Sequence, residues 1–239
     1  MDMKAIWRRG FFSITVVVTG LLLGTALDVV KMLDDNATVI KKVPTTHKVV
    51  ALSFDDGPHL KTTPEILAVL QEKNIKATFF VLGSNAANHP EIVAQASAAG
   101  HEIASHAFSH KRINSLSAEE IKQEIERTEA IITAVAPKPN LFRPPEGAYN
   151  DKIVALLREK GYTTILWSVD AGDWRRPPAG QVVKNVMDAI APGTIILMHD
   201  GQPALPTAQA LREIIDRLRE QGYQIVTVGE LLKYYEIRQ

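Results

Sequence analysis

The chain has 239 residues, 46% of them hydrophobic, enough for one core of roughly 200 residues. Its 27 Lys plus Arg balance 27 Asp plus Glu, and acids and bases are interleaved, which argues against a nucleic-acid binder with its clearly basic domain. With no cysteine, disulfides and thiolate metal sites are excluded, so any metal must be held by His and carboxylate groups.

Lys4, Arg8 and Arg9 precede an uncharged apolar stretch, GFFSITVVVTGLLLGTAL, at 10–27. A positive n-region followed by slightly fewer than the ~20 apolar residues of a spanning helix marks a targeting segment. We read residues 1–30 as an uncleaved signal-anchor with its basic end in the cytoplasm. A cleaved signal peptide would end at the small residues GTA, 24–26; either route exports the remainder of the chain. A soluble core helix fits poorly, because the segment is apolar on all faces. Residues 31–46 then form a polar stalk and 47–239 the folded domain. The segment makes the membrane a partner, and nothing specifies a protein partner.

From Lys48 onward, short apolar runs alternate with amphipathic stretches. Strands are expected at 49–54, 77–83, 102–107, 141–143, 163–169, 194–199 and 224–229. Thr63 is placed to cap a helix with Pro64 at its first position. SAEE at 117–120 is a capping box opening a helix to about Ala134. Gly100, Gly161 and Gly222 each close a helical run before a strand. Seven strands in this order predict a parallel α/β sheet covered by helices. Polar clusters follow the C-terminal ends of five strands: Asp55 with Asp56, His106 with His110, Arg143, Asp170 with Asp173, and His199. Sites gathered from that many strands favour a closed (β/α) barrel over an open sheet.

SHAFSH places His106 and His110 at i and i+4, a pair that alone is more often structural than metal-binding. Adding one carboxylate from FDD gives two imidazoles and an acid, three ligands that leave a position open on a divalent ion. That would explain the adjacent acids: one neutralised by metal, the other free as a general base. An N-cap role for one of them is the plainer alternative.

SFDDGP, SHAFSH, RPPEG, DAGDW and LMH, in this order over roughly 47–235, resemble the five motifs of the NodB-homology polysaccharide deacetylases, carbohydrate esterase family 4. The resemblance implies a deformed (β/α) barrel of about seven strands. It also implies hydrolysis of acetyl groups on sugars with one divalent ion, zinc as the leading candidate and cobalt or another divalent ion as alternatives. Carried over by position, Asp55 is the general base and Asp56, His106 and His110 hold the metal. Arg143 orients Asp55, with Asp170 in a supporting place, and Asp173 keeps His199 protonated as the general acid. The backbone N–H of Glu146 assists at the oxyanion, and Trp174 and Leu197 line a groove for the acetyl methyl. Glu146 stands where the family has tyrosine, which bears on substrate preference. His59 and Trp167 read as structural.

The substrate class is an extracellular polysaccharide, with N-acetyl groups of peptidoglycan in a cell or spore wall as the leading case. Chitin-type oligomers and acetyl-xylan are alternatives, as is an inactive wall-binding protein of the same fold. A hydrolase of small cyclic amides and a glycosidase using Asp55 with Asp173 are further possibilities.

Overall fold

A computed structural model describes residues 39–236. The expected anchor helix and the first half of the stalk lie outside these residues. Among the described residues, nine strands form one sheet: β1 (Val39–Ile40), β2 (Val49–Asp55), β3 (Thr78–Val81), β4 (Glu102–Ser105), β5 (Leu141–Phe142), β6 (Thr163–Ile165), β7 (Val169–Asp170), β8 (Ile195–His199) and β9 (Gln224–Val226). Their order is β1-β6-β5-β4-β3-β2-β8-β7, with β9 pairing the start of β2, and every pairing between these strands is parallel. The sheet curls into the deformed barrel expected from the motifs.

Eight α-helices join the strands of the described region: α1 (Thr62–Glu72), α2 (Gly83–Asn88), α3 (Pro90–Ala98), α4 (Ala118–Thr133), α5 (Asp151–Glu159), α6 (Ala179–Ala189), α7 (Thr207–Glu220) and α8 (Val228–Leu231). Strand alternation divides the apolar residues in two. Val50, Leu52, Phe54, Ile103, Ile196 and Met198 pack outward onto helix residues such as Ile66, Leu70, Val182 and Leu211. Val49, Ala51, Ala104, Leu141, Ile165 and Ile195 pack together inside the barrel. Continuing the inward series one step past each apolar stretch gives Asp55, His106, Arg143 and His199. The same period that builds the core therefore delivers these four side chains to one end of it.

The capping box at Ser117 forms as expected, with Glu120 returning to the Ser117 backbone. Gly100, Gly161 and Gly222 all take left-handed φ values, 83°, 83° and 78°, just beyond helix ends.

Several boundaries differ from expectation. β1 pairs with β6, and Ile40 and Val43 are buried, so the folded unit includes residues read as stalk. α1 starts at Thr62, ahead of the expected cap, because Thr63 turns its hydroxyl to Asp200 instead of capping the helix. The end of the 77–83 run turns into α2. The end of the 224–229 run becomes α8, capped by Thr227 and Glu230. The expected strand at 163–169 is two strands: at residues 166–168 the chain leaves β5 and β1 and joins β8. Leu166 N–H still donates to Ile40 (2.7 Å), whereas Ser168 N–H donates to Ile195 (3.1 Å), so this crossing closes the barrel through chain and not through a ladder.

Candidate active site

Asp55 ends β2 inside the barrel, 3% exposed. Alternation would send its neighbour outward, but Asp56 has φ 74°, a left-handed conformation that non-glycine residues adopt at a cost of about 1–2 kcal/mol. The backbone turns back, and the Asp56 carboxylate stays beside Asp55. Asn85 supports the turn by donating from Nδ2 to the Asp56 carbonyl at 2.7 Å.

His106 follows β4, and its Nε2 lies 3.5 Å from Asp56 Oδ1 and 3.8 Å from Asp55 Oδ2. Its Nδ1 is 2.7 Å from the Arg143 carbonyl, which places the proton on Nδ1 and leaves Nε2 as a free lone pair. His110 Nε2 is 3.3 Å from the same Asp56 oxygen. The 106–110 segment is a loop with positive φ at Ala107 (63°) and His110 (56°). Glu124 of α4 anchors it, accepting from the N–H groups of Phe108 and Ser109 and from the Ser109 hydroxyl.

The ligand atoms of Asp56, His106 and His110 all fall within 4.8 Å of one another. Asp56 Oδ1 is buried and has no hydrogen-bond partner, which is costly unless something else satisfies it. An orphaned carboxylate oxygen facing two imidazole nitrogens fits a divalent cation. Burial pushes the Asp56 carboxyl up, but its contact with His106 and the charges of His110 and His199 outweigh this and hold it below its ordinary value.

Arg143 is wholly buried and donates from Nη1 to Asp55 Oδ1 at 2.6 Å and from Nη2 to the Leu166 carbonyl at 3.0 Å. Its guanidinium lies over the Phe80 ring, 3.9 Å from the centroid, and 5.7 Å from that of Trp167. Burial pulls its pKa below the ordinary value, opposed by Asp55. Asp170 takes no part in this pairing, contrary to expectation. It accepts from Gly172 N–H and from the Trp174 indole instead. Arg143→Met should leave Asp55 buried without its cation and cost about 3–5 kcal/mol. For a domain of this size that is a fall in Tm of roughly 6–20 °C by thermal denaturation; a change under about 1 kcal/mol would contradict the pairing.

His199 ends β8 directly opposite Asp55 in the ladder. Its Nδ1 lies 2.9 Å from Asp173 Oδ1, while Asp173 Oδ2 accepts from the His199 N–H and from the Thr207 hydroxyl. Trp174 N–H completes the set on Oδ1. Asp173 is therefore wholly enclosed and cannot reach a glycosidic bond, which removes the Asp55–Asp173 glycosidase alternative. Burial pushes the His199 pKa down, but Asp173, helped by Asp55 and Asp56, prevails and raises it to about 9.

Leu197, two residues before His199, faces the same interior side and is buried. Trp174 is 44% exposed, with the Arg175 guanidinium 4.6 Å from its ring centroid. Glu146 takes a left-handed φ of 57°, and its side chain is exposed, 3.6 Å from Arg112. His59 serves structure, its Nδ1 accepting from the N–H groups of Lys61 and Thr62.

The sequence did not single out Asn85, Glu124, Thr207 or Asp200. Asn85, Glu124 and Thr207 act through long-range hydrogen bonds that leave no local pattern. Asp200 adjoins His199 in LMHD, so adjacency was the one available signal. It is wholly buried, and burial above all raises its pKa, to about 7.

A family model described as polysaccharide deacetylase matches residues 42–165. The chain is 37% identical over 207 residues to a peptidoglycan-N-acetylglucosamine deacetylase of Bacillus cereus, covering 85% of this chain and 97% of that protein. It is 34% identical over 196 residues to a chitooligosaccharide deacetylase of Bradyrhizobium, covering 76% and 90%. Its fold matches the crystal structure of a CE4 family pseudoenzyme from Bacillus anthracis with TM-score 0.80 and 31% identity, covering 86% and 73%. The chain belongs to the polysaccharide deacetylase family. It is a carbohydrate N-deacetylase, a hydrolase of the amide bond between acetyl group and sugar nitrogen.

Proposed function

We propose that this chain is a metal-dependent, exported deacetylase of N-acetyl groups on peptidoglycan aminosugars. One observation carries the reading: Asp56, His106 and His110 converge around an orphaned carboxylate oxygen, with Asp55 and His199 close beside it. Asp56, His106 and His110 would hold one divalent ion, zinc first among candidates. When bound, such an ion polarises the acetyl carbonyl and acidifies water.

Asp55, held and oriented by Arg143, accepts a proton from the attacking water as the new C–O bond forms. The Glu146 N–H donates to the carbonyl oxygen as it gains charge. His199, protonated through Asp173, gives its proton to the sugar nitrogen as the C–N bond breaks, leaving acetate and a free amine. Leu197 and Trp174 flank the acetyl methyl.

The pH dependence follows from His199. With its pKa raised to about 9, it is a competent acid below that value and loses its proton as the pH rises through it. Asp173→Asn removes the charge that holds the pKa up, so the alkaline limb of the kcat profile should move to lower pH. A limb that stays in place would contradict the assignment of His199.

The peptidoglycan reading is supported by the Bacillus relative, and export by the basic and apolar N-terminal segment. In this reading residues 1–30 anchor the chain in the membrane and the domain acts outside it. The Bradyrhizobium relative favours a second substrate, chitin-type oligomers. Acetate release by the purified protein on peptidoglycan and on acetylated chitooligosaccharides, with and without added zinc, tests both. Release from neither, with zinc bound, would leave a wall-binding protein without activity.

A further inference from the structure

Asp200 follows the proton donor in sequence and has no part in the reaction above. Its carboxyl is 1% exposed; Oδ2 accepts from Thr63 Oγ1 at 2.6 Å, and Oδ1 has no hydrogen-bond partner. Its backbone N–H donates to the Asp55 carbonyl at 3.0 Å. The carboxyl also presses on the turn that carries the candidate metal ligand. A Cβ on Gly57 would stand 2.1 Å from Asp200 Oδ2 and 2.4 Å from Oδ1. The next residue repeats the contact, since a Cβ on Gly201 would stand 2.4 Å from both Cβ and O of Asp56.

Residues 200 and 201 are thus laid against residues 57 and 56, with a glycine at each point of closest approach. Packing alone would be met by a small apolar side chain, which carries no burial penalty. A carboxyl with one oxygen unpartnered does carry that penalty; its other oxygen accepts from Thr63 in the first turn of α1, while the backbone N–H of the same residue joins the end of β8 to the end of β2. The left-handed backbone at Asp56 persists only where its surroundings over-determine it. Asn85 holds that turn from one side and Asp200 from the other.

We propose that Asp200 is a positioning residue that locks the Asp55–Gly57 turn to the strand end bearing His199, setting the distance between candidate metal site and proton donor. This rests on the deacetylase reading above. The test compares Asp200→Asn, Asp200→Ala and Thr63→Val with the unmodified full chain. It measures kcat and KM on an acetylated chitooligosaccharide, together with affinity for Co²⁺ and the visible spectrum of the cobalt form.

Asp200→Asn and Asp200→Ala should lower kcat by about 10–100-fold and weaken cobalt binding comparably, as loss of a supporting group around a metal site does. KM should stay within about threefold, and the cobalt spectrum should change. Thr63→Val keeps the carboxyl and frees its anchored oxygen, so it should move the same quantities the same way, by less. Should Asp200→Ala fail to fold, the other two variants decide. Variants that melt lower yet keep normal kcat and an unchanged cobalt spectrum would reduce Asp200 to packing and overturn the proposal. If the unmodified protein releases no acetate, the deacetylase reading fails instead, while the cobalt measurements still decide the role of Asp200.

Discussion

Asp55→Asn is expected to lower kcat on an acetylated chitooligosaccharide by about 10²–10⁴-fold, the usual loss when a general base is removed, with KM and zinc content near normal. The asparagine keeps the shape at the end of β2, and its amide oxygen can still accept from Arg143. What it lacks is basicity. The buried Arg143 contact at 2.6 Å fixes the carboxylate, and the neighbouring Asp56 is turned toward the two histidines as a candidate metal ligand, so no second acid can substitute. Near-normal turnover by this variant would reject Asp55 as base. Loss of zinc together with activity would make it a ligand instead.

Replacing a member of the triad should do at least as much damage by a different route. Asp56→Ala and His106→Ala remove carboxylate and imidazole from a three-ligand set, so zinc content should fall along with activity. Metal-ion catalysis contributes several kcal/mol to the transition state. At a factor of ten per 1.36 kcal/mol this predicts a loss on the order of 10³-fold or more. Exhaustive chelation of the unmodified protein should reproduce the loss, and added zinc or cobalt should reverse it. Activity undiminished by chelation would reject a metal-dependent reaction. His110→Ala is expected to be milder, because His110 is 38% exposed and water can take its place, whereas His106 is enclosed.

Much of this centre is legible in the chain because strand periodicity and chemistry coincide there. Val49, Ala51, Ser53 and Asp55 alternate inward on β2, so an apolar run ending in an acid already states where that acid points. His199 at the end of β8 and Arg143 just after β5 follow the same rule. The rule fails at Asp56, where alternation assigns the opposite face and only a positive φ brings the side chain back. It fails again at 163–169, TTILWSV, a run of strand-forming residues in which a change of ladder partner cannot be seen. Thr63 is a good cap by type, yet its hydroxyl is drawn to Asp200 from far along the chain. Such long-range pairings depend on the finished fold, and local sequence carries no trace of them. The short β1 escapes sequence reading for a related reason: two residues have no period, and they become a strand because β6 offers them an unpaired edge.

The crossing between β6 and β7 has a consequence for the enclosed guanidinium. A carbonyl in an unbroken strand would be spoken for by the neighbouring chain, but at Leu166 that oxygen is released at the moment the backbone changes partners. Arg143 takes it. An imperfection in the barrel wall thus supplies a second acceptor to a cation sealed away from water, and the Asp55 carboxylate need not satisfy it alone.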